Sequence, residues 1–547
     1  MLAAMRKTSI CVDLRRARAL HVFMAFAFCL APPLRSERAP ERLSIPPASL
    51  AAADSAAAIP RRARRKSTLD KQIEKLLASS DAHRGSWGIE VLELESGKLL
   101  YERNADHLFI PASNMKMFTT ATALEKLGPD YFFHTTVESD APPDAQGRVN
   151  DLYIVGRGDP NLGPRTFPYT YHGPAQPADK FIQEMADQVK ARGVREVTGT
   201  LIADDSYFVW EPFAPNWAAD DLEWGYGAPV TALAFNDNLL TMDVKPGEKV
   251  GDVAMVRLTP VGDYYLVKNH ISTGAKGTEK NYHLERQPGS MELDLWGQIP
   301  VDGGDDVDTI AIANPPQLVA EQFRAALTAR GIKVPGPVEV RHFSRLEAAS
   351  GSNPAPPSRI VLAEHTSPPL SEAIKVVNKE SENLHAEMLL RTLGRVQNNQ
   401  GSLARGLEAL NAFLGQEVGI LPGETYFSDG SGLSREDLVA PQAAVKLLIY
   451  MAHSPYFTAW FNSLPVSGID GTLAHRFLSD DVKGKIHAKT GSVEHVNTLS
   501  GYMDLPSGKR LVFSIMANNH PFPNKAGQET LDAITVEIYK WFAGHER

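Results

Sequence analysis

The chain reads as one α/β domain, an antiparallel sheet packed against helices, split by a large β-rich insertion. Three observations predict this. Helix and hairpin patterns fill residues 68–132. Short strand-like runs separated by turn residues fill 133–345. The first style then returns over 346–547. At 547 residues the chain also exceeds a single ordinary core, so roughly two to four domains are expected.

The elements follow in order. Thr68 can cap a helix whose Ile73, Leu76 and Leu77 share a face. Trp87, Ile89 and Val91 alternate and, with Lys98–Tyr101, flank the turn Glu95-Ser96-Gly97, which makes a hairpin. Pro111-Ala112-Ser113 opens a second helix with Met117, Ala121 and Leu124 spaced for burial, and Gly128-Pro129 stops it. In the middle, 152–155, 199–202, 239–244, 253–258, 291–295 and 309–312 read as strands. One helix is clear there, near Gln317–Arg330, ended by Gly331. The insertion divides into about 133–240 with 303–345, and 241–302. After Ser367-Pro368-Pro369 an amphipathic helix carries Leu370, Ile374 and Val377, and another carries Leu384, Met388 and Leu389. Thr498–Asp504 and Lys509–Ala517 form a hairpin around Pro506-Ser507-Gly508. The last helix places Leu531, Ile534, Ile538 and Trp541 at helical spacing.

Composition narrows the class. Hydrophobic residues at 43% and charged residues at 22% suit a globular chain. A net charge of −9, from 56 basic and 65 acidic residues, argues against a nucleic-acid partner. Both cysteines, Cys11 and Cys29, fall near the N-terminus. The rest of the chain therefore holds no disulfide scaffold, cysteine nucleophile or cysteine metal site. Lys7, Arg15, Arg16 and Arg18 precede an apolar run, Ala19–Ala31, that is short for a membrane span. Residues 1–31 thus read as a signal peptide, which places the mature protein in the periplasm or elsewhere outside the cytoplasm. Residues 32–67, rich in Ala, Pro, Ser and Arg, read as a disordered linker. Its basic run, Arg61 to Lys66, reads as solvated, with weak membrane or wall contact as the alternative.

Three short strings carry the chemistry: Ser113-Asn114-Met115-Lys116, Ser381-Glu382-Asn383 and Lys489-Thr490-Gly491. Each is weak alone. In the order S-x-x-K, S-x-N, K-T-G they mark active-site serine enzymes that attack D-alanyl peptides or penicillins. Acyl transfer needs an activated nucleophile, a base and a cradle for the oxyanion. Ser113 and Lys116, three apart at a helix start, share a face. Lys116 can act as base only with a lowered pKa, which burial or a second cation supplies, and Lys489 is the natural second cation. Taken alone, the pair fits an N-cap serine and a solvated lysine equally well.

Ser381 and Asn383 sit between two helical patterns, so they read as a loop. There Ser381 would relay a proton to the leaving amine and Asn383 would bond a substrate amide. The ordinary alternative is a helix-capping serine. Lys489 follows an alternating run, so its string lies on a strand whose edge can pair with a peptide. Lys489 and Thr490 would hold a terminal carboxylate. Gly491 would let a ligand approach. The N–H of Ser492 would join that of Ser113 as an oxyanion hole. The ordinary alternative is an exposed edge strand protected by a lysine.

No G-x-S-x-G, Walker, dinucleotide or H-E-x-x-H pattern occurs, and His385, His487, His495 and His520 lack ligand spacing, so neither metal nor cofactor is expected. Arg157-Gly158-Asp159, followed by Pro160, reads as a turn rather than an adhesion motif.

The triple resembles the penicillin-recognising serine enzymes. The stretch from Ser113 to Ser381 is far longer than in class A β-lactamases. It looks like the class C low-molecular-mass penicillin-binding proteins, the D-alanyl-D-alanine carboxypeptidase/endopeptidase type, in which a large insertion separates the first two motifs. Gly156-Arg157-Gly158-Asp159-Pro160, Tyr226-Gly227-Ala228-Pro229, Ser428-Asp429-Gly430-Ser431-Gly432-Leu433-Ser434 and Gly468-Ile469-Asp470-Gly471-Thr472-Leu473 match it as well. The resemblance covers 68–547 and implies an α+β sandwich of the penicillin-recognising serine transferase type. It implies a catalytic domain formed by 68–132 and 346–547. It further implies Ser113 as acylated nucleophile, Lys116 as base, and Ser381, Asn383, Lys489 and Thr490 as cleft groups. Peptidoglycan stem peptides would be substrates and β-lactams covalent inhibitors. Glu382 departs from the family's usual Asp and is expected to point away from the chemistry. Asp429 and Ser431 are expected to hold the cleft wall. Two rivals stay open: a β-lactamase, which turnover of nitrocefin would reveal, and an inactive scaffold that binds wall peptides.

Overall fold

The structure is a computed structural model that describes residues 68–78, 81–287, 289–351, 358–521 and 524–545. The expected signal peptide and linker, and both cysteines, lie outside the described residues. A five-stranded antiparallel sheet gathers both ends of the chain, in the order Ile486–Val493, Val496–Asp504, Arg510–Asn518, Ser86–Glu93, Leu99–Arg103. The expected hairpins at 86–103 and 496–518 are thus joined edge to edge. Along Arg510–Asn518 successive side chains serve opposite faces, as a strand dictates. Leu511, Phe513 and Ile515 enter a core with Leu69, Ile73, Leu531 and Ile534 from the first and last helices. Val512 and Met516 enter a second core with Met115, Phe118, Ile374 and Met388. The sheet is therefore buried on both sides, the sandwich expected from the sequence.

The helix Met115–Leu127 lies inside that second core, with every residue from Met115 to Leu124 buried. A helix enclosed all round must satisfy its polar side chains internally. Thr120 and Thr122 donate to the carbonyls one turn back, Lys116 and Phe118, each at 2.7 Å, and Thr119 donates to the Gly430 carbonyl at 2.7 Å. These bonds make the helix a rigid mount for its first turn.

The inserted region has its own core, built around Ile154, Leu201, Phe235, Leu295 and Phe323. Its five-stranded mixed sheet runs in the order Val338–Phe343, Leu201–Val209, Leu152–Val155, His134–Ser139, Ile360–Thr366. The last strand lies C-terminal to residue 345, so this sheet recruits chain from beyond the middle stretch. Two three-stranded sheets, Asp306–Ala311, Leu239–Lys245, Met255–Thr259 and Leu266–Gly274, Glu292–Pro300, Asn281–Glu285, and a two-stranded one, Arg148–Val149 with Glu196–Val197, complete it. The single helix expected there, near 317–330, is observed at Pro315–Ala329, and a second, Lys180–Ala191, accompanies it. That second helix buries Phe181, Ile182, Met185, Ala186 and Val189, a helical pattern overshadowed by the turn residues before it. No helix among the described residues is long and apolar enough to cross a membrane.

Candidate active site

The three strings converge on one cleft, about 590 Å³ in volume, lined by Ser113, Ser381, Asn383 and Ser492 among others. Ser113 sits in a single 3-10 turn, Ala112–Asn114, that feeds the buried helix. Ala112 adopts a left-handed φ of +45°, a conformation a residue with a Cβ holds only when its surroundings impose it. Two glycines leave the space this turn occupies. A Cβ on Gly432 would fall 1.9 Å from the Ala112 carbonyl oxygen, and one on Gly491 would fall 2.6 Å from that of Pro111. Gly491 therefore makes room for the chain's own turn at Ser113.

Lys116 is wholly buried and donates to Ser113 Oγ at 2.9 Å, Asn383 Oδ1 at 2.5 Å and the Ser431 carbonyl at 2.7 Å. Burial pushes its ammonium down to about 8, against the pull of the Asp429, Glu382, Glu387 and Asp437 carboxylates. Of the two causes expected, burial lowers Lys116 and Lys489 does not. The two ammonium groups do repel, but the effect falls on Lys489, held well below its ordinary value by its own burial and by Lys116.

Lys489, Thr490, Gly491 and Ser492 lie on the edge strand Ile486–Val493, as read from the alternation. Lys489 Nζ donates to Ser381 Oγ at 2.9 Å and to the Thr490 carbonyl at 2.9 Å. Thr490 Oγ1 bonds Thr472 Oγ1 at 2.7 Å. Ser492 is exposed at the cleft mouth. Ser381 occupies the break between the helices Leu370–Lys379 and Asn383–Asn398, with a left-handed φ of +64°. It does not cap the second helix. Glu382 does, accepting from the Leu384 N–H at 3.3 Å. Burial and the nearby Asp237 charge raise the Glu382 carboxyl. Asn383 is engaged at both ends, by Lys116 and by the carbonyl of Tyr226, which its amide reaches at 2.8 Å.

The loop 428–434 is folded by Asp429, which accepts the N–H groups of Ser431, Gly432 and Ser434 at 3.0, 2.6 and 2.8 Å and the Trp217 indole at 2.9 Å. Asp429 holds the wall, and through the Ser431 carbonyl that wall also touches Lys116.

Sequence reasoning missed a clamp from the inserted region. Arg165 grips Glu380, immediately before Ser381, with contacts of 2.5, 3.0 and 3.2 Å, and reaches Asp237 at 2.7 Å. Asp237 in turn meets the fully buried His385 at 2.9 Å. The Arg165 and His385 charges hold the Asp237 carboxyl below the usual range despite its burial. Asn236, Asp237 and Asn238 all have left-handed φ, near +51° to +56°, which aims Asp237 at this contact. Residues on both sides of the second motif are therefore tied to the insertion. Of the clamp's members only His385 was singled out in the sequence, as a histidine without ligand spacing; Arg165 and Asp237 carried no signal. The Arg157-Gly158-Asp159 string is not itself the expected turn: Asp159 is fully buried and bridges to Leu233, and the turn follows at Pro160-Asn161. No acidic, histidine or cysteine cluster among the described residues is arranged to hold a metal.

A buried lysine on a helix-mounted serine, facing a serine and a second buried lysine across a sheet edge, defines a serine acyl-transfer class of fold and cleft. Comparison agrees. The model of the D-Ala-D-Ala carboxypeptidase 3 (S13) family matches residues 69–538. A D-alanyl-D-alanine carboxypeptidase from an Actinomadura species is 34% identical over 490 residues, covering 87% of this chain and 85% of that protein. The D-alanyl-D-alanine carboxypeptidase DacB of Haemophilus influenzae is 24% identical over 446 residues, covering 79% and 85%. The crystal structure of penicillin binding protein 4 from the same organism superposes with a TM-score of 0.74 at 21% identity, over 86% of this chain and 99% of that one. The chain belongs to the D-Ala-D-Ala carboxypeptidase 3 (S13) family, and is a serine-type carboxypeptidase of the hydrolase class.

Proposed function

We propose that this is an exported D-alanyl-D-alanine carboxypeptidase/endopeptidase that hydrolyses peptidoglycan stem peptides through an acyl-enzyme on Ser113. The supporting observation is the Lys116–Ser113 contact of 2.9 Å, made by a lysine whose burial brings it to about 8. A neutral Lys116 takes the Ser113 proton as Oγ attacks the carbonyl of the penultimate D-Ala. The N–H groups of Ser113 and Ser492 receive the oxyanion. Ser381, bonded to Lys489, relays a proton to the leaving amine as the peptide bond breaks. Lys489 and Thr490 hold the carboxylate of the departing residue. Asn383 orients Lys116, and its amide meets a substrate carbonyl only by giving up Tyr226. Water then cleaves the acyl-serine. Export rests on the sequence of residues 1–31, and the division into a catalytic domain and an inserted region on the core around Ile154 and Phe323, while Phe208, Trp217 and Val230 of the insertion pack into the core of the Met115 helix.

The test is mass spectrometry of the purified protein after benzylpenicillin. A long-lived adduct on Ser113 is expected. No adduct, or one on another residue, refutes the mechanism; an adduct lost within seconds would point to a β-lactamase.

A further inference from the structure

A second cavity, about 380 Å³, opens beside the cleft. One wall is the loop 164–175 of the inserted region, and the other is Lys379, Glu380, Gly471 and Thr472. The two cavities share a partition, since Ser381 lines the first and Glu380 the second. Thr472, in the second, is bonded to the Thr490 hydroxyl at 2.7 Å. The second cavity therefore lies on the side of the cleft where Lys489 and Thr490 would hold the leaving residue.

The loop is preformed. Arg165 and Ala175 form a β-bridge at its neck. The Gln176 N–H donates to the Pro164 carbonyl at 2.8 Å, and the Gln176 amide donates to the Arg165 carbonyl at 3.0 Å. Inside the loop, the Tyr169 N–H donates to Glu372 at 2.7 Å. Tyr169 is only 8% exposed, yet its hydroxyl has no hydrogen-bond partner. Burial, and after it the nearby Glu380 carboxylate, discourage its ionisation. An unpaired buried phenol is costly, on the order of 1–3 kcal/mol, and a polar ligand group would relieve it.

We propose that this second pocket is a leaving-group subsite, which receives the second peptide of a crosslinked substrate beyond the residue held by Lys489 and Thr490. The assignment rests on the carboxypeptidase/endopeptidase reading above. When the leaving group is D-alanine, nothing continues past its carboxylate. When a crosslink is cut, the leaving amine belongs to a diamino acid whose chain runs on, carrying amides and charged ends. Past Thr490 the next space is the pocket behind Thr472. Its Tyr169 hydroxyl, Thr472 hydroxyl, Arg165 guanidinium and Glu380 carboxylate offer the donors and acceptors a peptide requires.

The experiment uses the full chain and two substrates with the same acyl donor: a stem peptide ending in D-Ala-D-Ala and a crosslinked muropeptide dimer. Ala175→Trp fills the pocket and Tyr169→Phe removes the unpaired hydroxyl; circular dichroism checks that both variants fold. Ala175→Trp is expected to lower kcat/KM on the dimer about tenfold, and Tyr169→Phe about threefold. D-Ala release and benzylpenicillin acylation should stay within about twofold of the parent. Dimer cleavage unchanged in both variants, or equal losses on all three reactions, overturns the subsite. A parent protein that releases D-Ala but leaves the dimer intact also overturns it while the carboxypeptidase reading stands. A parent that forms no acyl-serine overturns both.

Discussion

If Lys116 must be neutral to take the Ser113 proton, the rate of acylation follows the fraction of Lys116 that is unprotonated. With the ammonium at about 8, that fraction is about one-tenth at pH 7 and about nine-tenths at pH 9. Acylation by benzylpenicillin should therefore rise about ninefold between pH 7 and pH 9 and level off above, since a base works once its proton is gone. The direction is set by burial: an exposed lysine near its ordinary 10.5 would still be climbing at pH 10. Lys116→Arg puts a guanidinium that never deprotonates at the same place. It should lose the pH-dependent rise and at least about a hundredfold in acylation, as should Lys116→Ala. Stopped-flow measurement of acylation from pH 6 to 10, on parent and both variants, makes the comparison. A flat parent profile, or an arginine variant that acylates at near the parental rate, would show that Lys116 is not the base.

Ser113→Ala should abolish penicillin labelling, lowering peptidase activity on the order of 10³ to 10⁶. The turn has no side-chain cap to lose, so thermal unfolding should hardly move. Gly432→Ala should be severe for a different reason. Its Cβ would collide with the Ala112 carbonyl at 1.9 Å and its φ is +79°, so the turn carrying Ser113 has to shift; acylation by nitrocefin should fall with it. Arg165→Met breaks the grip on Glu380 and Asp237. With Arg165 about one-fifth exposed, the loss should sit near the low end for a buried pair, about 3 kcal/mol, read as a lower Tm. Acylation by a small β-lactam should slow too, and an unchanged rate would mean the clamp is only structural.

Local pattern carried much of this molecule. The two terminal hairpins, the helix after Ser113 and the strand under Lys489 were legible because period-2 and helical spacings survive wherever one face is buried. The three motif strings were legible because acyl transfer restricts residue type. Three things were not. The low value of Lys116 comes from enclosure by a wall whose members lie up to 315 residues away, and sequence spacing does not report enclosure. The demand for glycine at 491 comes from Thr498 Oγ1 and the Pro111 carbonyl, which a Cβ would meet at 2.2 and 2.6 Å, and sequence spacing shows neither neighbour. Arg165 and Asp237 meet Glu380 and His385 across 215 and 148 residues, inside loops with no periodicity to read.

That clamp changes what the insertion is for. All three motifs fall outside 133–345, which from sequence alone makes the middle a concern of natural substrate rather than of chemistry. The folded chain divides it. Tyr226 binds Asn383 of the second motif, and Arg165 and Asp237 bind Glu380 and His385 on either side of it, whereas the strands Leu266–Gly274, Asn281–Glu285 and Glu292–Pro300 belong to the insertion's own core. Trimming the exposed turn at 275–279 should leave acylation by a small β-lactam within about twofold, because that step needs only the cleft. If those strands bind wall polymer or screen access, the same change should alter release from intact peptidoglycan. Circular dichroism confirms the variant is folded. Equal losses on the small ligand and on the polymer would show that the outer strands, too, support the cleft.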